Sequence, residues 1–319
     1  MGAIDGWKPT PITQGGPLTI KILHVYTGKY PRDQWLTKSG MAVFSSVKDE
    51  YVYKGAARAI NYLSRDIKKK KHYKLAAYQD GTDIVAYVPG LASSTMTVTL
   101  QMAFDNFPDA LFDSVASAAG DLAKVPILAP NAGFLMLASK LVNLGSDLLN
   151  GADSQAELEH TETLNFDTIN GPVTQADIRV IYKFPIDVNL YEFDWNKGLV
   201  RKSDKTPYNE DGPYFVLLID GAKRDQLKNF APTVASASVL KSFLNVKPNG
   251  DTPLLDTMIS LVKLDNDYQF YKRALRVRDE LEDPTLSAED KARLKQQYNA
   301  LINNIGADPD SPFKLDKMS

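Results

Sequence analysis

The chain has 319 residues, 44% of them hydrophobic and 24% charged, with a net charge of −2. That length can bury a large core, and those fractions are globular ones that exclude wholesale disorder. Cysteine is absent, which excludes disulfides, thiol nucleophiles and thiolate zinc sites and fits a reducing, cytoplasmic setting.

The segment Met1 to Trp7 has no basic start followed by an apolar run, so no secretory signal is expected. No uncharged apolar run reaches the ~20 residues that a bilayer span needs. Charge is spread unevenly: residues 1–108 carry 14 Lys/Arg against 8 Asp/Glu, and residues 109–251 carry 13 against 19. A basic first third on an acidic remainder suits self-association or the orientation of a partner, and ordinary surface composition also produces it.

Residues 1–17 are rich in Gly and Pro and are expected to form a flexible lead-in arm. A strand is expected at Leu18 to Tyr26, where β-branched and aromatic residues alternate loosely, and two shorter ones at Met41 to Val47 and at Ile84 to Val88, the latter behind the turn signal Asp80-Gly81. Ala56 to Asp66 reads as a first helix. The strongest strand signal runs through Thr95 to Phe104. Met96, Val98, Leu100, Met102 and Phe104 face one way, and Thr95, Thr97, Thr99 and Gln101 face the other. A period of two with one polar face belongs to antiparallel sheets.

Helices follow at Asp109 to Leu122 and Gly133 to Leu149. The second is apolar on nearly every side apart from Lys140, Asn143 and Asp147, as a helix buried between other elements would be. Its roughly 25 Å of length falls short of a comfortable membrane span. Strands resume at Leu164 to Phe166, Ile178 to Phe184, Leu190 to Trp195 and Tyr214 to Ile219, with turns at Asn196-Lys197-Gly198 and Glu210 to Pro213. Another helix is expected over Val234 to Leu244.

The end of the chain changes character. Thr252 to Glu282 is a long helical pattern broken at Asp283-Pro284. Ser287, followed three residues later by Asp290, marks a second helix start in the manner of a capping box. Leu294, Tyr298, Leu301 and Ile305 then recur at helical spacing. These patterns predict an α+β protein: an antiparallel β-sandwich, C2-like by strand count alone, with helical insertions and a C-terminal helical hairpin. The expected division is an arm at 1–17, a sandwich at 18–250 with an insertion at 106–151, a hairpin at 251–306 and a tail at 307–319.

Catalytic chemistry finds little support. His24, His72 and His160 are the three histidines, and no two stand at metal-ligand spacing. G-x-S-x-G, the Gly-Lys-Ser/Thr phosphate loop and G-x-G-x-x-G are all missing. Asp105, Asp109, Asp204, Glu210 and Asp211 could face calcium, but no D-x-D-x-D-G loop gathers them. No cofactor is expected, and an enzyme is disfavoured.

Two surfaces stand out. Arg65, Lys68, Lys69, Lys70, Lys71 and Lys74 form a basic patch suited to phosphates or anionic lipid, or else a solvated helix end. With Tyr73 the one adjacent aromatic, nucleic acid is disfavoured. In the hairpin, Leu294, Tyr298, Leu301 and Ile305 with Tyr268 and Tyr271 form an apolar seam that must pack on the sandwich or on another chain. The expected function is therefore a non-enzymatic interaction or scaffold protein, docking on a protein partner or on itself through the sandwich and the hairpin. The alternatives are a membrane-active effector that uses the 106–151 helices and a hydrolase with dispersed catalytic residues.

Overall fold

The computed structural model describes residues 7–30, 40–49, 57–65, 67–75, 83–88, 90–105, 157–167, 171–224, 267–268, 270–305 and 312–318. The helices expected at 109–122, 133–149 and 234–244 lie outside these residues, as do residues 252–266 of the long helix expected over Thr252 to Glu282.

The described residues form an α+β protein made mostly of antiparallel sheet. Eleven strands appear in them: β1 Leu18–Tyr26, β2 Gly40–Asp49, β3 Ala57–Ser64, β4 His72–Lys74, β5 Ile84–Val88, β6 Thr95–Asp105, β7 Leu158–Asn165, β8 Asp177–Tyr182, β9 Tyr191–Asp194, β10 Gly198–Arg201 and β11 Tyr214–Asp220. Two helices come after them, α1 over 270–281 and α2 over Ala288–Asn304.

Sheet A has the order β4-β1-β11-β8, with β5 also paired to β1. One edge of β1 is therefore shared. Leu18 to Lys21 pair with β5, and His24 to Tyr26 pair with β4. Sheet B has the order β3-β2-β6-β7, and β9 and β10 form a separate hairpin. All these ladders are antiparallel.

β6 behaves as its period of two predicts. Met96, Val98, Leu100 and Met102 are buried. On the opposite face, Thr97 meets Thr163 at 3.3 Å, Thr99 meets Thr161 at 2.9 Å and Gln101 donates to Glu159 at 3.1 Å. These cross-strand polar pairs tie β6 to β7 on the exposed side.

β11 shows the other extreme. Every residue of Tyr214–Asp220 is buried, because the strand is central and covered on both faces. Phe215, Leu217 and Ile219 enter a large hydrophobic cluster with sheet B and the C-terminal helices. Tyr214, Val216 and Leu218 enter a second cluster with the β9–β10 hairpin. β1 feeds both clusters despite a bulge. The ladder to β11 shifts between Ile22 and His24, so Leu18, Ile20 and Ile22 share the first cluster with Val25, whereas Tyr26 joins the second. A single extra residue reverses the facing of every later position in the strand.

The helix expected over 56–66 is strand β3 instead. Its alanines suit a helix, but β2 supplies a ladder from Met41↔Ser64 to Val47↔Ala57. Asn61 and Leu63 are buried while Tyr62 and Ser64 are half-buried, which is strand alternation. Tertiary pairing outweighs a weak local propensity here. β7 is longer than the expected Leu164 to Phe166, since His160 and Glu162 hold inward positions that a hydrophobic count passes over. β4 and β10, three and four residues long, are too short to show a period.

Residues of the N-terminal arm are tied to this body. The Thr10 amide donates to the buried Asp220 carboxylate at 2.9 Å, and Gly221 donates back to Thr10 at 3.0 Å. Gly15 and Gly16 exchange backbone hydrogen bonds with Leu91.

Helix α2 begins where its capping signal stands. Ser287 is extended (φ −64°, ψ 159°) and its hydroxyl accepts from the Asp290 amide at 3.1 Å. The reciprocal arm differs from a capping box: the Asp290 carboxylate accepts from the Ser287 hydroxyl at 2.7 Å rather than from its amide. Asn304 donates to Gly90 O at 2.8 Å and so fastens the end of α2 to the connection before β6. A side chain at Gly90 would meet Ala300 O at 2.6 Å, so glycine is what allows this close approach.

Candidate functional site

The α2 side of the hairpin seam lies inside the protein's own core. Leu294, Tyr298, Leu301 and Ile305 are all buried there. The chain's last described residues cover the outer side. Tyr298 donates its hydroxyl to Asp316 O at 3.2 Å, and Asn299 and Met318 exchange two hydrogen bonds of 2.9 Å. Tyr268 and Tyr271 pack their rings on Phe313 at 5.4 and 5.5 Å. Tyr268 is 41% exposed and the most open of the six seam residues, with Lys272 over its ring.

The basic run does not end a helix. It runs through the connection from β3 to β4 and ends on β4 at Lys74, turning at Lys69 and Lys70, and Lys70 takes a left-handed φ of 53°. Buried Thr27 clamps the loop. Its hydroxyl donates to Lys68 O at 3.0 Å and accepts from the Lys71 amide at 3.0 Å, while its amide donates to Lys71 O. With the backbone held, the side chains of Arg65, Lys68, Lys69, Lys70, Lys71 and Lys74 stand exposed. Lys70 donates to Asn209 O at 3.1 Å and pairs with Asp211 at 3.2 Å.

Beside this loop lies a feature that the sequence patterns did not single out. Tyr182 at the end of β8 and Phe184, Val188 and Leu190 in the β8–β9 connection are 36–54% exposed. The Lys70 amide donates to Gly28 O, and the Lys29 amide to Asp211 O. Lys29 Nζ then stands 5.6 Å from the Phe184 ring centre. The cationic loop and the apolar connection are thus neighbours across two backbone crossings. Lys183 donates to Glu157 at 2.7 Å and to the Tyr30 hydroxyl at 3.3 Å. Burial alone lowers its pKa, but these two bonds outweigh that and raise it.

The histidines meet deeper in. His24 on β1 is 1% exposed, and its Nε2 lies 3.0 Å from Trp195 O. His72 on β4 places Nε2 3.1 Å from Tyr208 O. A carbonyl accepts only, so each ring carries its proton on Nε2. His72 Nδ1 accepts from the Tyr214 hydroxyl at 2.9 Å, and that hydroxyl accepts from the Leu199 amide at 2.9 Å. His24 Nδ1 is buried with no hydrogen-bond partner. Gly198, at φ +76°, sits against both rings: a Cβ there would lie 2.7 Å from the Tyr214 hydroxyl, 2.9 Å from His72 Nδ1 and 3.5 Å from His24 Nδ1.

Burial lowers the pKa of both histidines and raises that of Tyr214. Burial also pushes Tyr208 up to about 12. His160 is half-buried on β7, away from this pair in the ladder, opposite Leu100. Among the described residues no three His, Asp or Glu side chains gather as a metal would need. Of the acidic residues weighed for calcium, Asp204 accepts from the Thr206 amide and hydroxyl and Asp211 pairs with Lys70. Asp109 lies outside the described residues. Among the described residues, no helix is long and apolar enough to cross a membrane.

Two signals in the sequence could have pointed to these places. Lys183-Phe184-Pro185-Ile186 sets apolar residues in a Pro-bearing connection, and Gly198 closes a hairpin turn. Neither reveals that His24 and His72, 48 positions apart in the sequence, share one glycine. No protein-family model matches this chain, and no curated protein matches it.

Proposed function

We propose that this chain is a non-enzymatic interaction protein that docks on a protein partner through the loop end of sheet A. The observation that carries the reading is the exposure of Tyr182, Phe184, Val188 and Leu190 within one nine-residue stretch. Exposed large apolar side chains that cluster, rather than scatter, mark interaction sites. The neighbouring Lys29, Lys68, Lys69 and Lys71 suit an occupant that brings acidic side chains around an apolar anchor. The α2 part of the hairpin seam is left out of this surface, since Leu294, Tyr298, Leu301 and Ile305 are buried.

We also propose that sheets A and B form an open sandwich in a cytoplasmic protein, with C2-type modules as the analogy in strand number. Asn61 of β3 donates to Ile84 O of β5 at 3.1 Å along one side. Arg179–Glu162 and Lys183–Glu157, each at 2.7 Å, link the β8 side of sheet A to the β7 side of sheet B along the other.

A photo-cross-linking residue placed at Leu190 in the full chain tests the docking reading, with the same group at Thr161 on the polar face of β7 as the comparison. A discrete protein adduct at 190 and not at 161, whose reconstituted complex is lost in Phe184→Asp, supports it. Equal adducts at both positions, or an adduct with a second copy of this chain, overturns it.

A further inference from the structure

The β9–β10 hairpin lies over the second cluster of sheet A. Tyr191, Phe193, Leu199 and Val200 are 0–6% exposed, and Tyr208 joins them in the same aromatic group. Polar links from the sheet to this unit include His24 to Trp195 O, His72 to Tyr208 O and the Tyr214 hydroxyl to the Leu199 amide. Two of these come from histidines on adjacent strands, and both rings reach the Gly198 position at which β10 begins.

We propose that the β9–β10 hairpin is an acid-releasable flap, latched at neutral pH by His24 and His72 and freed as both imidazoles take up protons. It stands on hydrogen-bond geometry and is independent of the docking reading. The Nε2–H bonds to the two carbonyls survive protonation, so acid acts at Nδ1. A proton on His24 Nδ1 becomes a buried donor with no acceptor, because nothing accepts there. A proton on His72 Nδ1 meets the Tyr214 hydroxyl, which already points its own proton at that nitrogen. The hydroxyl must then turn its proton away while it still receives the Leu199 amide.

The surrounding charges do little to stabilise the imidazolium forms. His24 faces Lys74 on β4, which opposes protonation, and Asp194 on β9, which favours it. Asp194 is already committed to the Asn196 and Lys197 amides at 2.8 Å each. His72 faces His24 and Lys71, which both oppose it, while Tyr26, Tyr208 and Tyr214 surround it uncharged. His24 and Lys71 therefore make His72 harder to protonate while the flap is closed, burial and Lys74 do the same to His24, and opening relieves both.

Linkage sets the sign. Both groups are held below their ordinary 6.5 in the closed form, so the open form binds more protons as pH falls under 6.5. With two protons taken up, the opening equilibrium rises by up to about 100-fold per pH unit. Hydrogen exchange on the full chain reads this directly at pH 7.5, 6.5 and 5.5, after correction for intrinsic exchange rates. The expected result is that amides of residues 191–201 lose protection steeply below 6.5, at pH values where those of β2 and β6 are still far better protected. Hairpin protection that stays constant, or that equals that of β2 and β6 at every pH, overturns the proposal.

In His24→Gln with His72→Gln, an amide nitrogen can still reach each carbonyl without titrating, and the hairpin's protection should no longer vary with pH. Should that variant fail to fold, histidine ring NMR of the unaltered protein decides. Both rings should be neutral Nε2–H tautomers at pH 7, and an imidazolium signal there from either overturns the latch.

Discussion

Replacing Tyr214 by Phe isolates one oxygen atom. The ring is 0% exposed and packs on Tyr26 at 5.2 Å and on Tyr208 at 5.3 Å, contacts that Phe retains. What disappears is the hydroxyl that accepts from the Leu199 amide and donates to His72 Nδ1. The amide is then left buried without an acceptor, at a cost of about 1–3 kcal/mol, and the lost bond to His72 adds ~0.5–1.5 kcal/mol. A destabilisation of about 2–4 kcal/mol is expected in urea unfolding at pH 7.5, with the slope against denaturant unchanged. Tyr208→Phe is the control, because the Tyr208 hydroxyl makes no hydrogen bond to the described residues, and it should stay within about 0.5 kcal/mol of the unaltered protein. If the two variants unfold at the same midpoint, the hydroxyl bridge is not holding the hairpin and the reasoning fails.

Leu301→Ala removes a fully buried side chain where α2 meets the core. It should destabilise the protein by about 2–5 kcal/mol, read from the urea midpoint, whereas a partner-facing seam would leave that midpoint unmoved. Gly198→Ala forces a side chain into a φ of +76° and against the Tyr214 hydroxyl and His72. The conformation alone costs about 1–2 kcal/mol, so a lowered melting temperature is expected, and an unchanged one would contradict the close packing. Global stability should be fully present above pH 6.5 and decline as pH falls below it, because burial keeps His24 and His72 neutral in the folded state. Two such groups set a limiting slope of ~2.7 kcal/mol per pH unit, and a urea midpoint that is flat between pH 7.5 and 5.5 would refute the assignment.

Local pattern carried a good deal of this architecture. β6 was legible because it has one wet and one dry face, so its residues declare the period. α2 was legible because Ser287 and Asp290 announce a helix start and Leu294, Tyr298, Leu301 and Ile305 recur on one side. β5 was legible as a short apolar run behind the Asp80-Gly81 turn signal. β3 was not, since its alanines look helical until β2 offers hydrogen bonds. β4 and β10 are shorter than any period that could reveal them.

The candidate site was less legible. The lysines could be counted, but that they form a loop clamped by Thr27 depends on a hydroxyl more than forty positions away. The aromatic and aliphatic residues of 182–190 resemble core residues in composition, and only their exposure distinguishes them. His24 and His72 look like isolated residues in the sequence, as lone histidines do.

By itself the sequence determined the α+β class, the antiparallel character of β6 and the two-helix end, because propensity, periodicity and capping act within a few residues. The tertiary structure decided which surfaces stay open. The α2 side of the hairpin's apolar seam, a candidate for a partner, is covered by the protein's own core and by residues near 316–318, whereas Phe184 and Leu190 remain uncovered. It also decided the partners of the histidines, since a bulge in β1 and a glycine in β10 bring them together. Burial and long-range hydrogen bonding depend on what packs against a residue, and no local pattern in the chain records that.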